Sequence, residues 1–156
     1  MPRAPLFQDL PERPRVQIEL SRWSLVKRRS DGQIDFIAPL PCPYNYGCIP
    51  DLVSGDGDPL DVVVLGPTLP QGHCLALPVV GILDFIDGGR PDPKVVCSAR
   101  PLSPADRAGL LAFFAVYARC KALLAFARGK KGATRSLGFF PEQAWRSAEV
   151  GAAARG

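Results

Sequence analysis

SGDGDPLDVVVLG, residues 54–66, opens on a turn and closes on a strand. Gly55, Gly57 and Pro59 break regular structure and favour a turn. Leu60 to Leu65 is a β-branched apolar run, the pattern of a buried strand. Asp56, Asp58 and Asp61 stand together where the turn enters that strand. Carboxylates so close repel one another unless something positive lies between them. Hard oxygen donors at this density suit Mg²⁺, which takes carboxylates and waters. Gly57 lets the backbone fold tightly enough for the side chains to converge. An EF-hand loop also begins Asp-x-Asp, but its fifth, sixth and twelfth positions hold Leu60, Asp61 and Pro67 here, so that reading fails.

Other strands surround this one. VQIEL, residues 16–20, alternates and reads as a strand, with Glu19 among apolar neighbours. Residues 23–29 and 33–37 flank Ser30-Asp31-Gly32 and read as a hairpin. Residues 38–47 carry prolines and the aromatics Tyr44 and Tyr46, the composition of a structured loop. Residues 75–85 read as a strand broken by Pro78 and Gly81, residues 94–98 as another, with Gly88 to Pro91 a loop between them. Residues 1–14 read as an arm or edge segment.

Helical signals come late. Ser103 can cap, Pro104 suits the first helical position, and Asp106 falls in the first turn. Leu110, Phe113, Phe114, Tyr117, Cys120 and Leu124 recur at helical spacing until Gly129, giving a main helix over 103–128. A short second helix is expected over 141–149. Strands first and helices last predict one α+β domain over 1–156: a small closed or curled antiparallel β-barrel, OB-like, with the long C-terminal helix packed on it. At 156 residues such a domain needs no disulfide or structural metal to hold it.

Charge is unevenly placed. The net charge is +4, yet residues 30–89 contain no Lys, Arg or Glu. That stretch holds Asp31, Asp35, Asp51, Asp56, Asp58, Asp61, Asp84 and Asp87. An acidic middle between basic flanks suits a site that holds cations and an anion together. The bland alternative is a solvated acidic surface. Asp87, Asp92 and Lys94 form a second group around a Gly-rich loop, where Asp is also ordinary turn chemistry.

Several functions are disfavoured. The five cysteines, Cys42, Cys48, Cys74, Cys97 and Cys120, form no CxxC pair and are odd in number, against a disulfide framework or a zinc site. Reduced thiols and a cytoplasmic location are expected. His73, the sole histidine, sits in a Pro/Gly-bounded turn that suits a triad poorly. No signal peptide is expected in residues 1–20, and no stretch is expected to be apolar enough to span a membrane. The basic cluster Arg128, Lys130, Lys131 and Arg135 reads as a solvated helix end. No base-stacking aromatics interleave it, so no nucleic-acid partner is expected.

The motifs resemble those of the family I soluble inorganic pyrophosphatases. DGDPLDV at 56–62 resembles that family's Asp-(small)-Asp-Pro-(apolar)-Asp-(apolar) signature. PYNYGCI at 43–49 resembles its upstream segment, and VVGILDFID at 79–87 followed by DPKVV at 92–96 resembles its strand-loop-strand. The likeness runs from about Val16 to Tyr117. It implies hydrolysis of Mg-pyrophosphate to two phosphates, with Mg²⁺ as cofactor and a homo-oligomeric assembly. By resemblance, Asp56, Asp61 and Asp92 hold the tightest Mg²⁺, Asp87 with Asp92 serves another, and Glu19 contacts one that arrives with substrate. Asp58 orients and deprotonates the attacking water, while Tyr46, Lys94 and Tyr117 contact phosphate oxygens. Each of the last group has a plainer alternative: Tyr117 as core, Tyr46 as loop packing, and Glu19 as an exposed-face residue.

Departures from the pattern fall on cations. The family's Lys and Glu after the early glutamate correspond to Ser24 and Val26, with Lys27, Arg28 or Arg29 nearby. Its arginine before the NYG segment has no counterpart in residues 34–36, and the lysine after the helical tyrosine is Ala118, near Arg119 and Lys121. These departures motivate two alternatives: a weakened relative that binds metal and a phosphorylated ligand, or a hydrolase of another phosphoanhydride.

Overall fold

The chain, seen in a computed structural model, is described over residues 7, 9–28, 31–54, 57–144 and 146. β1 (Arg15–Leu20) alternates exposed and buried residues, as VQIEL requires. β2 (Val26–Arg28) and β3 (Ile34–Ile37) form a separate two-stranded hairpin. β4 (Asn45–Val53), β5 (Pro59–Val64), β6 (Cys74–Ala76), β7 (Val79–Asp87), β8 (Arg90–Pro91) and β9 (Lys94–Cys97) follow. Then come α1 (Pro104–Ala127) and β10 (Arg135–Pro141). The main sheet runs β10-β7-β9-β5-β4-β1-β6, with β8 beside β7. The curled form of the expected α+β architecture is the observed one. Among the described residues the sheet stays open, and it is mixed rather than wholly antiparallel, because β5 and β9 pair in parallel.

The sheet separates two apolar clusters. Leu60, Val62 and Val64 of β5 point to one side, with Val16, Ile18, Ile82, Val95 and Cys97. Val63 and Leu65 point to the other, with Leu83, Phe85 and Val96, where α1 lays down Leu110, Phe114 and Ala118. Burying each large side chain there contributes about 1.5–3 kcal/mol. The helix starts as its sequence predicts. Ser103 caps it, accepting from the Asp106 amide while Asp106 accepts from the Ser103 amide.

Several local expectations change. Residues 45–47 lie in β4 rather than in a loop. The loop holds over residues 38–44, where Pro39, Pro41 and Pro43 fall, while Pro50, inside β4, sits where the β4–β5 register shifts between Ile49 and Val53, as strand prolines do at bulges. The break in 75–85 falls at Leu77-Pro78, and β7 continues through Gly81, although its register on β9 shifts between Val79 and Gly81. Gly81 is required there because a Cβ would lie 2.2 Å from the Phe139 ring. Gly88 to Pro91 is a turn that includes the two residues of β8. β10 was not foreseen; the helix expected over 141–149 is seen at residues 142–144 and 146. Of the expected arm, Phe7 and Leu10 are buried in the core. α1 also corrects the membrane expectation. By length and composition alone, its 24 residues suffice to cross one. Arg119 and Lys121 are the charged residues between Ala108 and Ala127.

Candidate active site

Strand periodicity gathers the site. On β5, Asp61 shares the face of Val63 and Leu65. On β7, Asp87 shares the face of Leu83 and Phe85, and on β9 Lys94 shares that of Val96. Asp92, two residues before Lys94, completes that row. Glu19 lies opposite Val16 and Ile18, whose side chains enter the other cluster. One face of the sheet therefore carries these side chains, the face α1 covers farther along.

Lys94 is the hub. It is 3% exposed, and its ammonium donates to Asp61 Oδ2 at 2.8 Å and to Asp92 Oδ2 at 2.9 Å. It also lies over the rings of Tyr46 and Phe85, at 5.6 and 5.4 Å. Burial opposes its charge, yet Tyr46 and the two carboxylates outweigh burial and raise its pKa well above the ordinary value. Tyr46 donates its hydroxyl to Asp61 Oδ2 at 2.7 Å. Burial, partly offset by Lys94, holds the Tyr46 hydroxyl neutral well above the usual range. Asp92 is shifted upward by burial despite Lys94.

A second unit adjoins it. Asp87 accepts from the Lys121 ammonium and, at 3.1 Å, from Thr134 Oγ1. Burial pushes its pKa up, but the Lys121 and Thr134 hydrogen bonds prevail and the net direction is down. Lys121 also stands 5.7 Å from the centre of the Tyr117 ring. Tyr117 stacks on Phe113 at 5.8 Å, and burial pushes its hydroxyl up to about 12. At the third unit Glu19 meets Lys27 at 3.0 Å, and Lys27 meets Asp35 at 3.5 Å.

The structure thus brings together Asp61, Asp92, Lys94 and Tyr46 directly, with Asp87 and Tyr117 joined to Lys121. Asp58 is exposed in the turn after Gly57, whose φ of 91° needs a glycine. Asp56 lies outside the described residues. Among the described residues no three His, Cys, Asp or Glu side chains are grouped closely enough to hold a metal ion. Asp61 and Asp92 do fit one. They direct carboxylate oxygens at a single cation and remain about one-third exposed, and an all-oxygen set of this kind suits a hard divalent ion. Sequence reasoning passed over Thr134 altogether. Its signal was weak, a lone threonine after a basic run.

A sequence model described as "Inorganic pyrophosphatase" matches residues 11–108. The chain belongs to the inorganic pyrophosphatase family. Among pyrophosphatases of curated sequence, it is 37% identical to inorganic pyrophosphatase 1 of Pseudomonas syringae pv. tomato over 103 residues, covering 60% of this chain and 59% of that one. It is 45% identical to the Nostoc inorganic pyrophosphatase over 90 residues, covering 52% and 53%. The chain spans about half the length of the curated relatives it matches. The solved Thermus thermophilus inorganic pyrophosphatase superposes with a TM-score of 0.70 at 27% identity, covering 90% of this chain and 89% of that one. The Neisseria gonorrhoeae pyrophosphatase superposes at 0.68 with 26% identity, covering 89% and 88%.

Two of the cations missing from the family's pattern have a basic neighbour close by, while the arginine before the NYG segment has none in residues 34–36. Lys27, one residue past Val26, reaches Glu19. Ala118 is buried against the sheet, and Lys121, about one turn farther along α1, reaches Asp87. The side chains of Arg28 and Arg29 lie outside the described residues.

Proposed function

We propose that this chain hydrolyses pyrophosphate to two phosphates, using a divalent cation, Mg²⁺, held by Asp56, Asp61, Asp87 and Asp92, with Glu19 joining when substrate binds. One observation carries the reading: Asp61 and Asp92 each turn a carboxylate oxygen to the Lys94 ammonium, and Asp87 stands on the same face of the adjoining strand. A bound Mg²⁺ neutralises charge on the phosphates and lowers the pKa of water. The protein's own groups do the rest. Asp58 orients a water and takes its proton as the water oxygen bonds to one phosphorus. The P–O–P bridge breaks on the far side, and the bridging oxygen leaves with the second phosphate. Lys94, Tyr46, Tyr117 and Lys121 donate to phosphate oxygens where negative charge grows. Lys121 and Lys27 supply positive charge close to the departed family positions, which favours turnover over mere binding.

The chain works in the cytoplasm as a soluble homo-oligomer, without nucleic acid or membrane. Val116, Leu123 and Phe126 of α1 are 49%, 69% and 81% exposed, an apolar stripe that a second copy covers. A colorimetric phosphate assay with millimolar Mg²⁺, with and without EDTA, tests the activity. Fast release that EDTA stops, and that Asp58→Asn cuts by roughly a hundred-fold or more, is expected. No release above background from well-folded protein defeats the reading.

A further inference from the structure

Beside Asp87 a groove of about 730 Å³ opens between the end of α1, the β7–β8 turn and the β2–β3 hairpin. Among the described residues its lining carries five cations, Arg90, Lys121, Arg128, Lys130 and Lys131, against the single carboxylate of Asp87. Lys121 is engaged with that carboxylate. The other four make no ion pair within the described residues, and all four are exposed.

Basic residues near a helix C-terminus are ordinary, since they complement its dipole. Two features go beyond that. Arg90 comes from β8, far away in sequence, and faces the same groove. The loop beyond the helix is also fixed onto the β7–β8 turn. Gly89 donates to the Ala133 carbonyl at 2.8 Å, and Gly88 to Thr134 Oγ1 at 3.1 Å. Gly132 packs so closely that a Cβ would lie 2.4 Å from the Gly88 carbonyl oxygen. The concavity is therefore held in shape, and its uncompensated charge is positive.

The wall chemistry selects the ligand. Ile37, Pro39 and Leu124 are its larger apolar groups, and among the described residues no aromatic ring lines it. Bases bind chiefly by stacking on aromatic faces, and among the described residues a nucleobase finds no such platform here. Repeated tetrahedral oxyanions find several spaced cations. The volume, within the range of ligand sites, exceeds what one pyrophosphate fills. We propose that this groove binds the phosphoanhydride chain of an oligophosphate, three or more phosphates long, next to the proposed hydrolytic site. The groove reads the chain and ignores any nucleoside attached to it. Binding here requires neither a divalent ion nor turnover, so it stands or falls apart from the pyrophosphatase reading.

The test is calorimetry on the full chain in buffer stripped of divalent ions by a chelating resin. The probes are sodium tripolyphosphate, orthophosphate, ATP and a short deoxythymidine oligomer. Tripolyphosphate is expected to bind once per chain, more weakly as salt rises. The Arg128→Ala, Lys130→Ala, Lys131→Ala triple variant is expected to lose roughly ten-fold in affinity, the sum of three exposed charge contacts. Its pyrophosphate hydrolysis with Mg²⁺ stays at the parent rate, and a Lys130→Arg, Lys131→Arg variant keeps tripolyphosphate binding. ATP binding no tighter than tripolyphosphate supports the proposal. It is overturned if the triple variant binds tripolyphosphate as the parent does, or if orthophosphate binds equally well. Tighter binding of ATP, or of the oligomer, overturns it in favour of a nucleotide or nucleic-acid reader.

Discussion

Replacing Lys94 with methionine removes one charge from the point where two carboxylates meet. The methionine fills most of the lysine stem's volume, so little of the effect comes from a cavity. What is lost is the pair of charge-assisted hydrogen bonds at 2.8 and 2.9 Å to Asp61 and Asp92. Each such bond is worth about 1.5–3 kcal/mol. Both carboxylates are about one-third exposed and recover water when the ammonium goes. The net cost is therefore about 2–3 kcal/mol, below the sum of the two bonds and near the lower end for a broken buried pair. Urea unfolding in metal-free buffer should show the midpoint falling by about 1 M, taking a slope of roughly 2 kcal/mol per molar. Magnesium should then close the gap. A cation bound between Asp61 and Asp92 at a hundred times its Kd returns about 2.7 kcal/mol, and in the variant it no longer competes with an ammonium. An unchanged midpoint without metal refutes the structural role of Lys94. A gap that Mg²⁺ leaves untouched refutes the idea that these two carboxylates share a metal.

Gly47→Ala should be severely destabilising, about 3 kcal/mol or more by thermal unfolding, because a Cβ there would lie 1.9 Å from the Gln17 carbonyl oxygen across the β1–β4 pair. Asp106→Asn should cost about 1 kcal/mol at pH 7, since it weakens the cap of α1 and its pair with Arg100. The Arg100 hydrogen bond, helped by the Ser103 amide, holds the Asp106 carboxyl well below the usual range. Its stabilisation is complete above the unfolded value of about 4 and fades as pH falls toward the folded one, so the difference from the parent should shrink in acid. Denaturation curves at pH 7 and pH 3 check this. Burial pushes the thiols of Cys42, Cys48 and Cys97 up to about 11, 12 and 12, whereas Cys74 is exposed. A thiol reagent with peptide mapping should label Cys74 first and reach those three only on unfolding.

Much of the site was legible because it obeys local chemistry. Gly57 and Pro59 announce a turn, and the spacing of Asp58 and Asp61 around a β-branched run places acids at a strand's entrance. The capping of α1 by Ser103 and Asp106 needed only four adjacent residues. Other features were not legible because their causes are remote. Thr134 matters to Asp87 only because the chain after α1 folds back onto the β7–β8 turn. Pro50 and Gly81 resemble strand breakers, yet one sits at a bulge and the other makes room for Phe139 of β10.

The amino-acid order by itself determined the α+β class, the capped helix, the acidic segment between basic flanks and the kinship carried by DGDPLDV, since each depends on residues that are neighbours along the chain. The tertiary structure alone decided that the sheet stays open among the described residues with one parallel pair, that Lys94 bridges Asp61 to Asp92, and that Lys121 rather than Arg119 meets Asp87. Those outcomes depend on which strands pair and which helix face turns inward. Pairing and facing are settled by burial across the whole fold, a quantity that no short window of sequence contains.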